Sequence, residues 1–172
     1  LRGHRDSDWS KAGYRLSAFV KDLEALVFEL GLESFSLVGH SLGVRIAIAY
    51  AAQRPDLVQR LVLADAGPEV LMSGGTQVRE LLKASREARS FKSRAEVRAF
   101  YEAFHPEWRT EFLDLHAQYQ VRENWARRLV LKADPDVDWI ASAATAGEAP
   151  TLWEMASRLR MPTLLMVGRR SK

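Results

Sequence analysis

Five consecutive residues, Gly39–His40–Ser41–Leu42–Gly43, form the pattern G-x-S-x-G. A serine in this pattern acts as an acyl-transfer nucleophile when it lies on a sharp turn between a strand and a helix, because that turn exposes its hydroxyl. An apolar run precedes the pattern, and a helical segment follows it. The N–H of Leu42 and the dipole of that helix can stabilise a developing oxyanion. We therefore predict that Ser41 is a covalent nucleophile.

We expect a steric reason for the two glycines of the pattern, Gly39 and Gly43. In so tight a turn, a side chain at either position is expected to collide with the neighbouring backbone. A chance glycine-rich turn is the alternative interpretation of five residues. The strand and the helix predicted on either side favour the nucleophile turn.

The hydrophobic pattern around the motif predicts the elements that position it. Apolar residues recur at helical spacing over residues 17–30, and Gly31 follows where a left-handed helix cap belongs. Short apolar runs at 35–38 and 61–64 predict buried parallel strands, with a helix at 42–53 between them. Strand, helix and strand together predict a βαβ unit.

Residues 68–160 have a different character, with amphipathic helical segments and no convincing central strand. They predict a helical insertion. Ser93 with Glu96 and Thr151 with Glu154 match capping boxes at helix starts, and Pro150 is expected to punctuate the helical structure. An apolar run at 162–167 then predicts a return to the sheet. The predicted domains are a core portion 1–67, a helical lid 68–160 and a core segment 161–172.

In this order the motifs resemble those of the α/β-hydrolase superfamily. Residues 1–7, LRGHRDS, look like its loop D-x-R-G-x-G-x-S, and PTLLMVG at 162–168 looks like a later strand. The resemblance implies a partial α/β-hydrolase fold, which is a parallel sheet with flanking helices plus a helical lid. Within the superfamily the chain is similar to the serine-dependent esterases, lactonases and carbon–carbon hydrolases. Epoxide hydrolases and haloalkane dehalogenases instead carry aspartate where this chain has Ser41.

Two residues depart from the family pattern. Arg5 stands at the second glycine of the loop, and Val44 stands where many relatives have another glycine.

The resemblance also implies that the catalytic histidine and the second oxyanion donor lie outside these 172 residues. His40 precedes the nucleophile and in relatives is usually a packing or supporting residue. We expect the chain to be a fragment of a longer enzyme, and to be inert and poorly stable by itself.

The acid of the catalytic triad has two candidate places. In most relatives it follows the strand that ends here at Val167, where Ser171 and Lys172 stand, so the acid would lie beyond this chain. Asp65, after the adjacent strand, is the alternative, because pancreatic-type lipases and some dehalogenases carry their acid there. Asp65 could equally cap the turn before Gly67. The sequence leaves these alternatives open.

Composition excludes several classes of site and partner. The chain has no cysteine, which excludes disulfides and thiolate metal sites within it. Its four histidines lack the spacing of a metal pair, so we expect no metal and no cofactor. The 25 basic and 22 acidic residues are interspersed, which argues against nucleic acid as a partner. No apolar run approaches the roughly 18 residues of a membrane helix, and we expect a cytoplasmic protein.

Two functional hypotheses follow. In the first, Ser41 attacks a small ester, thioester or lactone and forms an acyl-enzyme that water hydrolyses. In the second, the protein is a non-catalytic homologue that binds a small molecule or a protein partner. An intact serine in an intact motif favours catalysis on a small-molecule substrate. The fold does not identify that substrate, and the sequence does not predict an oligomeric state.

Overall fold

The computed structural model describes residues 1–69, 76–88, 90–137 and 143–169. In chain order the elements are α1 (Leu16–Glu29), β1 (Phe35–His40), α2 (Leu42–Gln53), β2 (Val58–Ala64), α3 (Thr76–Glu87), α4 (Arg94–Phe104), α5 (Thr110–Tyr119), β3 (Val121–Glu123), β4 (Leu129–Leu131), α6 (Ala143–Ser157) and β5 (Thr163–Met166). They fall into two compact units. The first contains Leu1–Gly13 and the described residues of 75–138, and the second contains the described residues of 14–74 and 139–172.

The second unit is built on a parallel sheet, as predicted, and its strand order is β1-β2-β5. Leu37 pairs with Leu61, and Leu63 pairs with Leu165. Helix α2 packs against β1 and β2, while α1 and α6 pack against α2. This arrangement confirms the α/β class and the parallel sheet with flanking helices.

Helix α2 is the centre of this unit because it is apolar on almost every side. All residues from Val44 to Ala51 are buried, including Ile48 and Tyr50, and a helix that is apolar all round is stable only inside a core. Helix α1 has one buried stripe and is followed by the predicted left-handed glycine, Gly31, whose φ is +60°. Strand β5 contrasts with both, because all four of its residues are exposed in this chain.

The insertion is not wholly helical, which corrects the sequence interpretation. Strands β3 and β4 pair as an antiparallel hairpin. The side-chain oxygen of Asn124 accepts hydrogen bonds from the N–H groups of Ala126 and Arg128, both at 3.0 Å, and Arg127 has a left-handed φ of +58°. Each strand has only three residues, which is too short for an alternating pattern to be visible.

The loop at the start of the chain belongs to the first unit and not to the sheet, unlike in the predicted division. The indole N–H of Trp9 donates to the Lys132 carbonyl at 3.0 Å, and Lys132 forms an ion pair with Asp6 at 2.6 Å. The guanidinium of Arg122 lies over the Trp9 ring, 5.4 Å from its centre. The same unit has an aromatic core that includes Tyr101, whose pKa burial raises to about 12.

Helix α6 lies in the sheet-containing unit, although the predicted lid extended to residue 160. It also runs through Pro150, so the predicted interruption there is wrong, and Thr151 lies inside the helix instead of at its start. Ala149 and Leu152, close to the proline, are buried, and tertiary packing of this kind supplies most of the stability of a helix in a protein. The other predicted helix start is confirmed, because the Glu96 N–H donates to Ser93 Oγ at 3.3 Å.

Candidate active site

Ser41 lies on a strained turn between β1 and α2. Its backbone has φ +54° and ψ −121°, a conformation that residues with a side chain rarely adopt. Its N–H donates to the Ala64 carbonyl at 3.3 Å, and its own carbonyl accepts from the Val44 N–H at 3.0 Å. The residue is exposed, and its hydroxyl makes no capping hydrogen bond to the helix that it precedes. The turn thus presents the hydroxyl and leaves it uncommitted to the helix.

Gly39 allows the turn to close. A Cβ at this position would lie 2.4 Å from the carbonyl oxygen of Gly43 and 2.9 Å from the Val44 nitrogen, which no side chain can tolerate. The collision expected at Gly43 is not found, because a Cβ there would meet no described atom within 4 Å. The close approach is therefore one-sided: the Gly43 backbone occupies the space that a side chain at Gly39 would need.

Leu42 is the first residue of α2, so no carbonyl of that helix can accept its N–H. This N–H stands directly after the serine, at the positive end of the helix dipole. Val44, the departure from the family glycine, is fully buried in the core and does not disturb the turn. The arrangement can hold a negatively charged oxygen near the serine.

Asp65 follows β2, the strand beside β1, and has a left-handed φ of +56°. His40 and Ala64 are register partners, so Ser41 and Asp65 are the next residues on two neighbouring strands. The Asp65 N–H donates to the Met166 carbonyl at 2.7 Å, and its Oδ1 accepts from the Gly168 N–H at 3.1 Å. The aspartate thus stands beside the serine turn and also ties β2 to the residues after β5.

His40 directly precedes Ser41, and each of the other three histidines has a ring nitrogen near an acceptor close to it in sequence. His40 is exposed at the end of β1. His4 Nδ1 lies 3.0 Å from the Arg2 carbonyl, and His105 Nδ1 lies 3.3 Å from a Glu107 carboxylate oxygen. His116 Nδ1 lies 2.9 Å from the Phe112 carbonyl. Within the described part of the chain, no group of three or more histidine or acidic side chains is placed to hold a metal ion.

The backbone conformation of Arg5 explains why relatives have a glycine at this position. Its φ is +51°, which glycine adopts without strain and an arginine does not. The loop therefore keeps the glycine-type conformation although the residue has changed.

One pair near the serine turn was missed by sequence reasoning. Arg45 of α2 is 2% exposed, and its guanidinium lies 3.3 Å from a carboxylate oxygen of Glu148 in α6. Burial lowers the pKa of Arg45, and the Glu148 charge opposes that shift. A lone arginine in the apolar run 44–51 was the available signal, but its partner 103 residues away was not predictable.

Comparisons with known proteins agree with this architecture. The model of a family described as alpha/beta hydrolase fold matches residues 1–171. A segment is 47% identical over 68 residues to an sn-1-specific diacylglycerol lipase of Mus musculus, which is 39% of this chain and 22% of that protein. Another is 36% identical over 93 residues to a 2-(acetamidomethylene)succinate hydrolase of Mesorhizobium japonicum, which is 48% of this chain and 34% of that enzyme.

A solved structure of an esterase of Mycobacterium tuberculosis superposes with a TM-score of 0.73 at 26% identity, over 98% of this chain and 55% of that one. The chain thus corresponds to about half of that esterase, and its matched segments span 22% and 34% of the two curated relatives. Among the described residues, no helix is both long and apolar enough to cross a membrane.

Proposed function

Because the chain belongs to the alpha/beta hydrolase fold family, we propose that it carries the nucleophile of a serine-dependent hydrolase. The substrate class is a small ester, thioester or lactone. The observation that carries this proposal is the left-handed backbone of Ser41, closed by Gly39 against Gly43 and followed by the N–H of Leu42. Backbone strain at an exposed serine is a feature of sites where the strain serves chemistry.

In the proposed reaction, Ser41 Oγ attacks the carbonyl carbon while a histidine base accepts the hydroxyl proton. The negative charge then develops on the carbonyl oxygen, toward the Leu42 N–H. The bond to the leaving oxygen or sulfur breaks, and the histidine returns the proton to it. Water attacks the acyl-enzyme by the same steps and releases the acid. We propose that residues outside this chain contribute the histidine and a second oxyanion donor.

We propose Asp65 as the acid that orients this histidine. Its support is the register that puts it beside Ser41 at the ends of two neighbouring strands. Parallel strands lie about 4.8 Å apart, so one imidazole can meet groups at both strand ends. A carboxylate beyond Lys172 is the competing assignment.

The relatives support a hydrolase more strongly than a binding protein. They are named a lipase, a succinate-type hydrolase and an esterase. These names differ in substrate, so the proposal stays at carboxylic ester, thioester and lactone chemistry.

Labelling with a fluorophosphonate probe tests the nucleophile, because the probe phosphonylates activated serines. The full-length protein should be labelled, and Ser41→Ala should lose the label. Ser36→Ala, at an exposed serine of the same strand, is the matched control and should keep it. Equal labelling of wild type and Ser41→Ala would contradict the assignment. A folded wild type that neither reacts with the probe nor hydrolyses p-nitrophenyl esters would support the non-catalytic homologue.

A further inference from the structure

The nucleophile helix α2 contains a buried charge close to its start. Arg45 is the fourth residue of a helix whose residues from Val44 to Ala51 are all buried. Its side chain is 3% exposed and pairs with Glu148 of α6, whose side chain is 32% exposed. The pair therefore joins α2 to α6 within the sheet-containing unit.

This charge is unfavourable for the stability of the helix alone. A cation in the first turn opposes the positive end of the helix dipole. Burial of the guanidinium adds a desolvation cost, which is visible as a lowered pKa of Arg45. Apolar residues of similar volume often stabilise a core as well as a buried ion pair does. Residues that break local rules in this way occur preferentially at functional sites.

Its position relates the charge to the serine. Arg45 follows Leu42, the first residue of α2, by three residues, a spacing that places two side chains on the same face of a helix. Arg45 therefore lies within the first turn of α2, the same turn that begins with the Leu42 N–H. Glu148 holds the guanidinium from the neighbouring helix.

We propose that Arg45 is a positioning residue for the hydrolytic reaction, with its buried positive charge, held by Glu148, reinforcing the oxyanion-stabilising start of α2. This inference rests on the proposed function. Arg45 does not contact the substrate in this role. It acts through the first turn of the helix, where its charge adds to the field of the Leu42 N–H.

A charge-removing double variant separates this role from a structural one. In the full-length protein, Arg45→Met combined with Glu148→Leu replaces the ion pair by an apolar contact, and its melting temperature should stay near that of wild type. We expect its kcat on a p-nitrophenyl ester to fall by about tenfold, with KM little changed, because a charge acting on the transition state is lost. A double variant that keeps both its stability and its kcat would overturn the inference.

Two single variants separate the charge of Arg45 from the geometry of its pair with Glu148. Arg45→Lys preserves the charge and should retain kcat within about threefold of wild type. Glu148→Gln leaves the cation in place, so kcat per probe-titrated site should fall by less than threefold even if the melting temperature drops. A tenfold loss of kcat in either variant would show that the geometry of the pair matters and the charge does not. Failure of the probe to label Ser41 in wild type would overturn the proposed function as well.

Discussion

Ser41 and Asp65 stand at the ends of two neighbouring strands, and both have a positive φ, +54° and +56°. Their side chains differ in use. The Ser41 hydroxyl makes no capping hydrogen bond to α2, whereas the Asp65 carboxylate accepts a hydrogen bond from the Gly168 N–H. One left-handed turn thus presents its side chain, and the other uses its side chain to fix the next loop. A positive φ can therefore expose a side chain at one strand end and let the side chain at the next strand end hold a loop.

The largest expected effect distinguishes two roles of Asp65: orienting the catalytic histidine, and holding the loop at Gly168. Asp65→Asn keeps a side-chain oxygen that can accept from the Gly168 N–H, but it removes the negative charge. If Asp65 orients the catalytic histidine, kcat of the full-length protein should fall by about 10⁴-fold while the melting temperature changes little.

The carboxylate-free control for the loop contact is Asp65→Ala, which removes both the charge and the hydrogen bond. Near-normal turnover in Asp65→Asn, with a stability loss only in Asp65→Ala, would assign Asp65 to the loop alone. The triad acid would then lie beyond Lys172.

The serine turn itself can be broken at one glycine and not at the other. Gly39→Ala places a Cβ 2.4 Å from the Gly43 carbonyl oxygen, so we expect a loss of about 3 kcal/mol in the free energy of unfolding. Gly43→Ala meets no described atom within 4 Å and lies in a helix, so it should be neutral or stabilise by up to about 1 kcal/mol. Urea denaturation of the two variants measures the difference, and similar losses in both would contradict the one-sided approach.

Gly39 and Gly43 show how much of the fold and of the candidate site could be predicted from the sequence. The motif, its flanking strand and helix and the parallel sheet were predictable, because they depend on local patterns and on family resemblance. Which glycine carries the steric constraint depends on how α2 crosses the end of β1, and a local pattern does not specify that crossing. The pairing of Arg45 with Glu148 and the continuation of α6 through Pro150 likewise depend on packing between distant segments.

The next prediction concerns strand β5, which Asp65 joins to β2 through its hydrogen bonds to Met166 and Gly168. Its apolar side chains are uncovered in this chain, with Leu165 69% exposed. Exposed apolar strands pair readily with other chains, so the 172-residue chain expressed alone should be oligomeric or insoluble and without esterase turnover.

Leu165→Lys should shift this chain toward the monomer in size-exclusion chromatography with light scattering, because a charge on an edge strand opposes association. Gln59→Lys adds the same charge at an exposed position of β2 and should shift it less. A wild-type chain that elutes as a soluble monomer with a cooperative melt would contradict the expectation.

The smallest expected effect concerns a third left-handed residue, Arg5, for which the chemistry proposed here has no role. At φ +51° an arginine costs about 1 kcal/mol relative to glycine, so Arg5→Gly should stabilise the full-length protein by up to about that amount. Arg109→Gly is the matched control, because Arg109 has an ordinary φ of −66° and glycine there relieves no strain. Glycine at Ser41 or Asp65 would relieve similar strain but remove the side chain that each turn presents. Urea denaturation measures the free energy of unfolding of both variants. Stabilisation by Arg5→Gly but not by Arg109→Gly would show that the backbone strain at Arg5 can be relieved without losing a stabilising side chain. A loss of stability equal to that of Arg109→Gly would mean that the Arg5 side chain makes contacts that outweigh its strain.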